Sequence, residues 1–154
     1  CALPIYPSQL KAVDFLGKLS VHHDSIVTDF SGWKKWQQVL LSACEDNGYP
    51  FASVRLNGIV FRENEISGRI EIDKGVFYQI DSISLKGNAR ISSEFLQRHL
   101  FIANGSPYSA VKLRQVDRRL SALPYVSTIQ PSDCIMLGSG AVLNVYLKIG
   151  RAHV

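Results

Sequence analysis

From Phe77 to Gly150 the spacing of apolar positions changes repeatedly, and each change marks an element. Tyr78, Ile80, Ile83 and Leu85 are spaced for a strand. The alternation shifts phase between Ile80 and Ile83, which predicts a bulge at Asp81-Ser82. Gly87-Asn88 ends the strand with turn residues. Ile91 to Leu100 reads as a helix, with Ser92 as its N-cap and Ile91 and Leu96 placed as a hydrophobic staple. Asn104-Gly105-Ser106-Pro107 reads as a loop. Ser109 caps a second helix, flanked by Tyr108 and Leu113, on which Leu113, Val116 and Leu120 form an apolar stripe; Pro124 stops it. Two strands follow. The first, Tyr125 to roughly Met136, is irregular and polar-rich and contains Pro131, which argues for an edge position. The second alternates cleanly through Ala141, Leu143, Val145 and Leu147, with Asn144 and Lys148 opposite, as a central strand does. Leu137-Gly138-Ser139-Gly140 supplies the turn between them. The predicted unit is β-α-α-β-β.

Part of this pattern occurs twice. The 28 residues from Gly48 to Gly75 match Leu123 to Gly150 without a gap at an offset of 75. Phe51 matches Val126, Val54 matches Ile129, Ile59 matches Cys134, Phe61 matches Met136, Ile70 matches Val145, and Ile72 matches Leu147. That period suits a small domain copied in tandem better than a solenoid repeat. Upstream of the first copy, Trp33, Trp36, Val39, Leu40 and Ala43 form an apolar helical face ended by Glu45-Asp46-Asn47-Gly48. Ala52 to Phe61 and Glu65 to Ile72 make a hairpin around Arg62-Glu63-Asn64. The expected domains are therefore residues 1–75 and 76–150. Residues 1–32 are divergent or truncated, with a strand expected at Ala12 to Leu19. The short linker at Lys74-Gly75-Val76 implies a restricted hinge.

Composition narrows the class. An apolar fraction of 46% and a charged fraction of 19% belong to a folded chain. No run approaches the roughly 18–20 apolar residues of a membrane-spanning helix. Residues 1–75 carry 8 Lys/Arg and 9 Asp/Glu, whereas residues 76–154 carry 9 and 4. That basic bias lacks the dense patch or motif of a nucleic-acid binder, so no nucleic-acid partner is expected. Cys1, Cys44 and Cys134 give neither a disulfide framework nor zinc spacing, and Cys44 and Cys134 read as buried small hydrophobes. His22-His23 has no partner ligands at metal spacing. No nucleophile with its base, no carboxylate pair and no phosphate-binding glycine loop stands out, so catalytic residues, cofactor and metal are all expected to be none. The chain begins at Cys1 without an initiator Met, which reads as a start inside a longer protein or as a lipid-anchored mature terminus. Lys148-Ile149-Gly150-Arg151-Ala152-His153-Val154 reads as a translated sequencing adapter, so about 148–154 is expected to be a non-native tail.

Across residues 33–150 the chain resembles POTRA domains. These are the polypeptide-transport-associated modules that precede outer-membrane barrels of the BamA/TamA and two-partner-secretion transporter superfamily. The residues that carry the resemblance are Gly48-Tyr49 with Ala52 and Val54, then Gly75, Tyr78, Ile80, Ile83, Leu85 and Gly87-Asn88. It continues with Leu96, Leu100, Gly105, Tyr108, Leu113 and Leu120-x-x-Leu123-Pro124-Tyr125. In style they are similar to Bacteroidetes-like members.

The resemblance implies an α+β fold of tandem β-α-α-β-β modules, each a three-stranded mixed sheet covered by two helices. It implies a periplasmic location, attachment to the outer membrane through a C-terminal barrel of the same chain, and unfolded outer-membrane or secreted proteins as substrates. Accessory lipoproteins are further partners it implies. An exposed sheet edge would bind extended peptides by β-augmentation. The edge candidates are Val126, Ser127, Thr128, Ile129 and Gln130 in the second module and Ser53, Val54 and Arg55 in the first. Lys112, Arg114, Arg118 and Arg119 are candidates for contact with lipid headgroups, the barrel or an acidic partner. Two alternatives stand beside this reading: the arm of a two-partner-secretion transporter, and a purely structural spacer.

Overall fold

The structure is a computed structural model that describes residues 21–22, 25–26, 30–63 and 65–150. Cys1, the strand expected at Ala12 to Leu19, and Arg151-Ala152-His153-Val154 lie outside the described residues. The chain divides into two compact units. The first holds the described residues up to Cys44 together with Phe51–Gly75, and the second holds Glu45–Pro50 and the residues from Val76 onward.

In the first unit, strands β1 (Val21–His22) and β2 (Ser25–Ile26) form a small antiparallel pair. Helix α1 (Phe30–Glu45) follows, then the antiparallel hairpin of β3 (Ser53–Arg62) and β4 (Glu65–Asp73). Trp33, Trp36 and Leu40 share one helical face and are buried with Val54 and Ile70; Leu41, Leu56 and Ile72 pack around them. Gly58, at φ 61°, sits where the register slips between Asn57 and Val60. A three-stranded sheet under two helices was expected here. Among the described residues the hairpin is a sheet of two strands with one long helix.

The second unit contains β5 (Gln79–Lys86), α2 (Ser93–Leu100), β6 (Ser106–Pro107), α3 (Ala110–Arg114), α4 (Val116–Ser121), β7 (Val126–Leu137) and β8 (Gly140–Ile149). The strand order is β6-β5-β8-β7, with β5 parallel to β8 and the other pairs antiparallel. The alternating strand β8 is therefore central, and the Pro131-containing strand β7 lies at an edge. The register of β5 on β8 skips between Ile80 and Ser82, where the phase shift in the sequence places a bulge.

Two features depart from the sequence reading. The Asn104–Pro107 loop contributes a fourth strand. Gly105 at φ 77° turns its N–H onto the Ile80 carbonyl at 2.7 Å, and the Tyr108 N–H reaches the Tyr78 carbonyl at 3.0 Å. That clamp draws Ser106 and Pro107 beside β5. The second helix also breaks at Gln115 into α3 and α4.

Ser92 caps α2 by accepting the Phe95 N–H at 3.2 Å, and Ser109 caps α3 through the Lys112 N–H at 3.5 Å. Each such cap contributes about 1 kcal/mol. Between sheet and helices lies one core built from Ile80, Ile83, Leu96, Leu100, Ile102, Val116, Leu120, Leu143, Val145 and Leu147, all buried. Every second residue of β8 faces it, so the clean alternation in the sequence is the imprint of a central strand with one face covered.

Candidate peptide-binding edge

Strand β7 pairs only with β8, which leaves its other side open among the described residues. Antiparallel geometry shows which of its backbone groups face outward. The Gly150 N–H donates to the Tyr125 carbonyl at 2.9 Å, so the groups of Tyr125 point at β8. Residues opposite one another alternate between exchanging hydrogen bonds and pointing away. With Val126 opposite Ile149, Ser127 opposite Lys148 and Thr128 opposite Leu147, Ser127 bonds inward. Val126 and Thr128 present N–H and C=O outward. The Ile149 N–H, which by the same rule points away from β7, is bound by the Asn88 side-chain oxygen at 2.9 Å.

The open ladder is short. Its register slips after Thr128 and again after Gln130. Pro131 has no N–H to offer. The Ser132 N–H is occupied by Asp117 Oδ1 at 2.9 Å, reaching across from α4. The part of this edge left uncapped before Pro131 therefore runs from Val126 to Gln130. Along it Ser127, Ile129 and Gln130 are exposed, whereas Val126 and Thr128 turn half-buried side chains toward the helices. The Thr128 hydroxyl is buried without a hydrogen-bond partner.

Where β7 begins, a groove of about 690 Å³ opens between the start of α2 and the loop that leads into the strand. Ile91, Phe95, Leu123, Pro124, Tyr125 and Val126 line it. Tyr125 is 69% exposed and Phe95 40%, so large apolar surface stands unfilled beside the open strand end.

Beyond the slipped register the strand is locked to its neighbour. Asp133 accepts from Asn144 Nδ2 at 2.7 Å and from the Tyr146 hydroxyl at 2.6 Å. These bonds, Tyr146 first, hold the Asp133 carboxyl below its ordinary range, and the Asp133 partnership raises the Tyr146 phenol above its own. A depressed carboxylate pKa contributes stability above its unfolded value. That contribution is lost as pH falls through the folded value. Asp133→Asn is therefore expected to lower the melting temperature at neutral pH and to converge with the parent protein below the ordinary carboxylate range. Melts recorded across an acid pH series check this.

The first-unit candidates are placed differently. Ser53, Val54 and Arg55 pair with Asp73, Ile72 and Glu71 of β4. Val54 lies in the core, and its carbonyl accepts from Gln37 Nε2 of α1 at 2.8 Å. This stretch is already engaged by its own helix. Because the hairpin is a two-stranded sheet among the described residues, β4 is as much an edge as β3.

The four basic candidates also separate. Lys112 and Arg114 on α3 and Arg118 on α4 are exposed. Arg119 turns inward: its guanidinium donates to the Leu100 carbonyl and to Gln115 Oε1 and lies over the Phe101 ring, 4.6 Å from its centre. It ties α4 to the end of α2. Cys44 and Cys134 are half-buried rather than fully buried, and burial pushes the Cys134 thiol up. Among the described residues no group of three His, Cys, Asp or Glu is placed to hold a metal, and no helix is long and apolar enough to cross a membrane. The Asp117–Ser132 bond and the groove escape sequence reading because both join residues brought together only by the fold.

The POTRA family profile, described as a surface antigen variable number repeat, matches residues 78–149. The structure is similar to BamA from Haemophilus ducreyi lacking POTRA domains 1–3, with a TM-score of 0.65 at 14% identity over 96% of this chain and 28% of that one. It is similar to BamA POTRA3–5 from Haemophilus influenzae, with a TM-score of 0.54 at 16% identity over 97% of this chain and 65% of that one. POTRA1–3 of the periplasmic domain of Omp85 from Anabaena aligns at a TM-score of 0.41. The chain thus spans less than two thirds of the length of these structures. Among curated protein sequences none matches.

Proposed function

We propose that this chain, whose residues 78–149 match the POTRA family, forms part of the periplasmic arm of an outer-membrane barrel protein that assembles or translocates outer-membrane proteins. In this reading β7 takes up extended segments of unfolded outer-membrane or secreted proteins by adding them as a further strand. The observation that carries it is the pair of outward-facing backbone groups at Val126 and Thr128, on an edge that no described strand covers. Main-chain pairing reads no side chains, so it tolerates many substrates, and the groove beside Tyr125 favours segments with a large apolar residue. The arm has no chemistry of its own. It holds substrate near the barrel of the same protein and offers its surfaces to accessory lipoproteins.

The test is a titration of the chain with a fluorescent, extended peptide of alternating apolar residues, with a proline-interrupted peptide of the same composition as control. Saturable binding of the first alone supports strand addition. Equal binding of both, or of neither, contradicts it.

A further inference from the structure

The end of α2 carries a bulky residue where glycine is favoured. Phe101 occupies the position after the last helical turn at φ 57° and ψ 36°, in the left-handed region, with its N–H turned back to Arg98 and Gln97. A β-carbon is strained there, and for an aromatic residue such a conformation is uncommon. The ring gains no burial in exchange, since Phe101 is 67% exposed. A residue that is strained in the backbone and unburied in the side chain points to a role outside the fold.

The surroundings of the ring define that role. Arg119 lies over it and is anchored by the Leu100 carbonyl and Gln115 Oε1, so two of its five N–H donors are committed and the rest are held in a fixed place. Arg98, exposed in the last turn of α2, adds a second cation. The helical layer as a whole is basic: residues 93–121 carry Arg98, Lys112, Arg114, Arg118 and Arg119 against Glu94 and Asp117. It also exposes Val111, at 41%. This surface lies at the opposite end of α2 from the groove, about 12 Å away for an eight-residue helix. A preorganised guanidinium beside an exposed aromatic ring, on a basic face, matches phosphate headgroups with an apolar layer beneath them.

We propose that the helical face of the second unit rests on an anionic lipid surface, with Phe101 inserted at the interface and Arg98 and Arg119 on headgroup phosphates. The test is sedimentation of the chain with phosphatidylglycerol vesicles and with phosphatidylcholine vesicles. Binding is expected to the first only, and to weaken with added salt. Arg98→Ala is expected to lower the affinity about fivefold. Phe101→Gly is expected to lower it about tenfold while the melting temperature holds or rises, because glycine suits the left-handed position. A ring retained only for stability would give the reverse, a lower melting temperature with unchanged vesicle binding. The proposal is overturned by a parent chain that ignores anionic vesicles, by equal binding to both lipids, or by folded variants that bind as the parent does. Displacement by millimolar inorganic phosphate would assign the cluster to free phosphate and overturn it as well.

Discussion

Gly87→Ala is expected to destabilise the second unit by about 3 kcal/mol, close to the limit of what a small domain tolerates. Gly87 sits at φ 106°, and a β-carbon built there would lie 2.1 Å from the Leu147 carbonyl oxygen and 2.9 Å from the Ile129 side chain. Leu147 belongs to β8, the central strand; it lies opposite Thr128 of β7, and its carbonyl accepts the Ala89 N–H at 3.4 Å, so that oxygen has no room to retreat. The backbone strain and the collision add. Gly105→Ala is the matched control: its φ is 77°, but nothing stands within 4 Å of the added carbon. It is expected to cost only about 1 kcal/mol. Urea melts of the two variants against the parent separate strain from collision. Equal losses in both would show that the close approach at Leu147 carries no weight.

Proline substitutions along β7 are expected to have opposite effects at adjacent residues. Thr128→Pro removes an outward N–H and places a ring on the open edge, with no ladder bond lost. Peptide affinity should fall about tenfold or more while the fold survives. Ser127→Pro removes an inward N–H that pairs with β8. It should cost about 3 kcal/mol in stability through the broken sheet. A peptide titration and a thermal melt of each variant give the four values needed. If Thr128→Pro binds as tightly as the parent, substrate does not add to this edge.

The residues that announce themselves in the sequence are those whose environment is set by near neighbours. The alternation of Leu143, Val145 and Leu147 makes β8 central. Ser92 and Ser109 cap the helices they precede. The phase slip between Ile80 and Ile83 is the bulge on β5. Pro131 marks β7 as an edge because a central strand has no place for a missing donor. What the sequence conceals depends on contacts distant along the chain. Ser106-Pro107 pairs with β5 only because the Gly105 N–H finds Ile80, 25 residues earlier. Arg119 reads as one more surface cation beside Arg118, yet the end of α2 draws it inward. The open stretch of β7 ends where Asp117 captures the Ser132 N–H, a bond no periodicity encodes. Phe101 looks like an ordinary apolar residue until its backbone angle is known.

Strand addition at β7 is tested most directly by amide hydrogen exchange, read residue by residue by NMR, with and without a saturating extended peptide. In the free chain the Ser127 amide should exchange slowly, bonded to β8, while those of Val126 and Thr128 exchange fast. With peptide, Val126 and Thr128 should become protected and Ser127 should change little. Protection that leaves Val126 and Thr128 untouched, or appears only on the helices, would contradict strand addition at this edge.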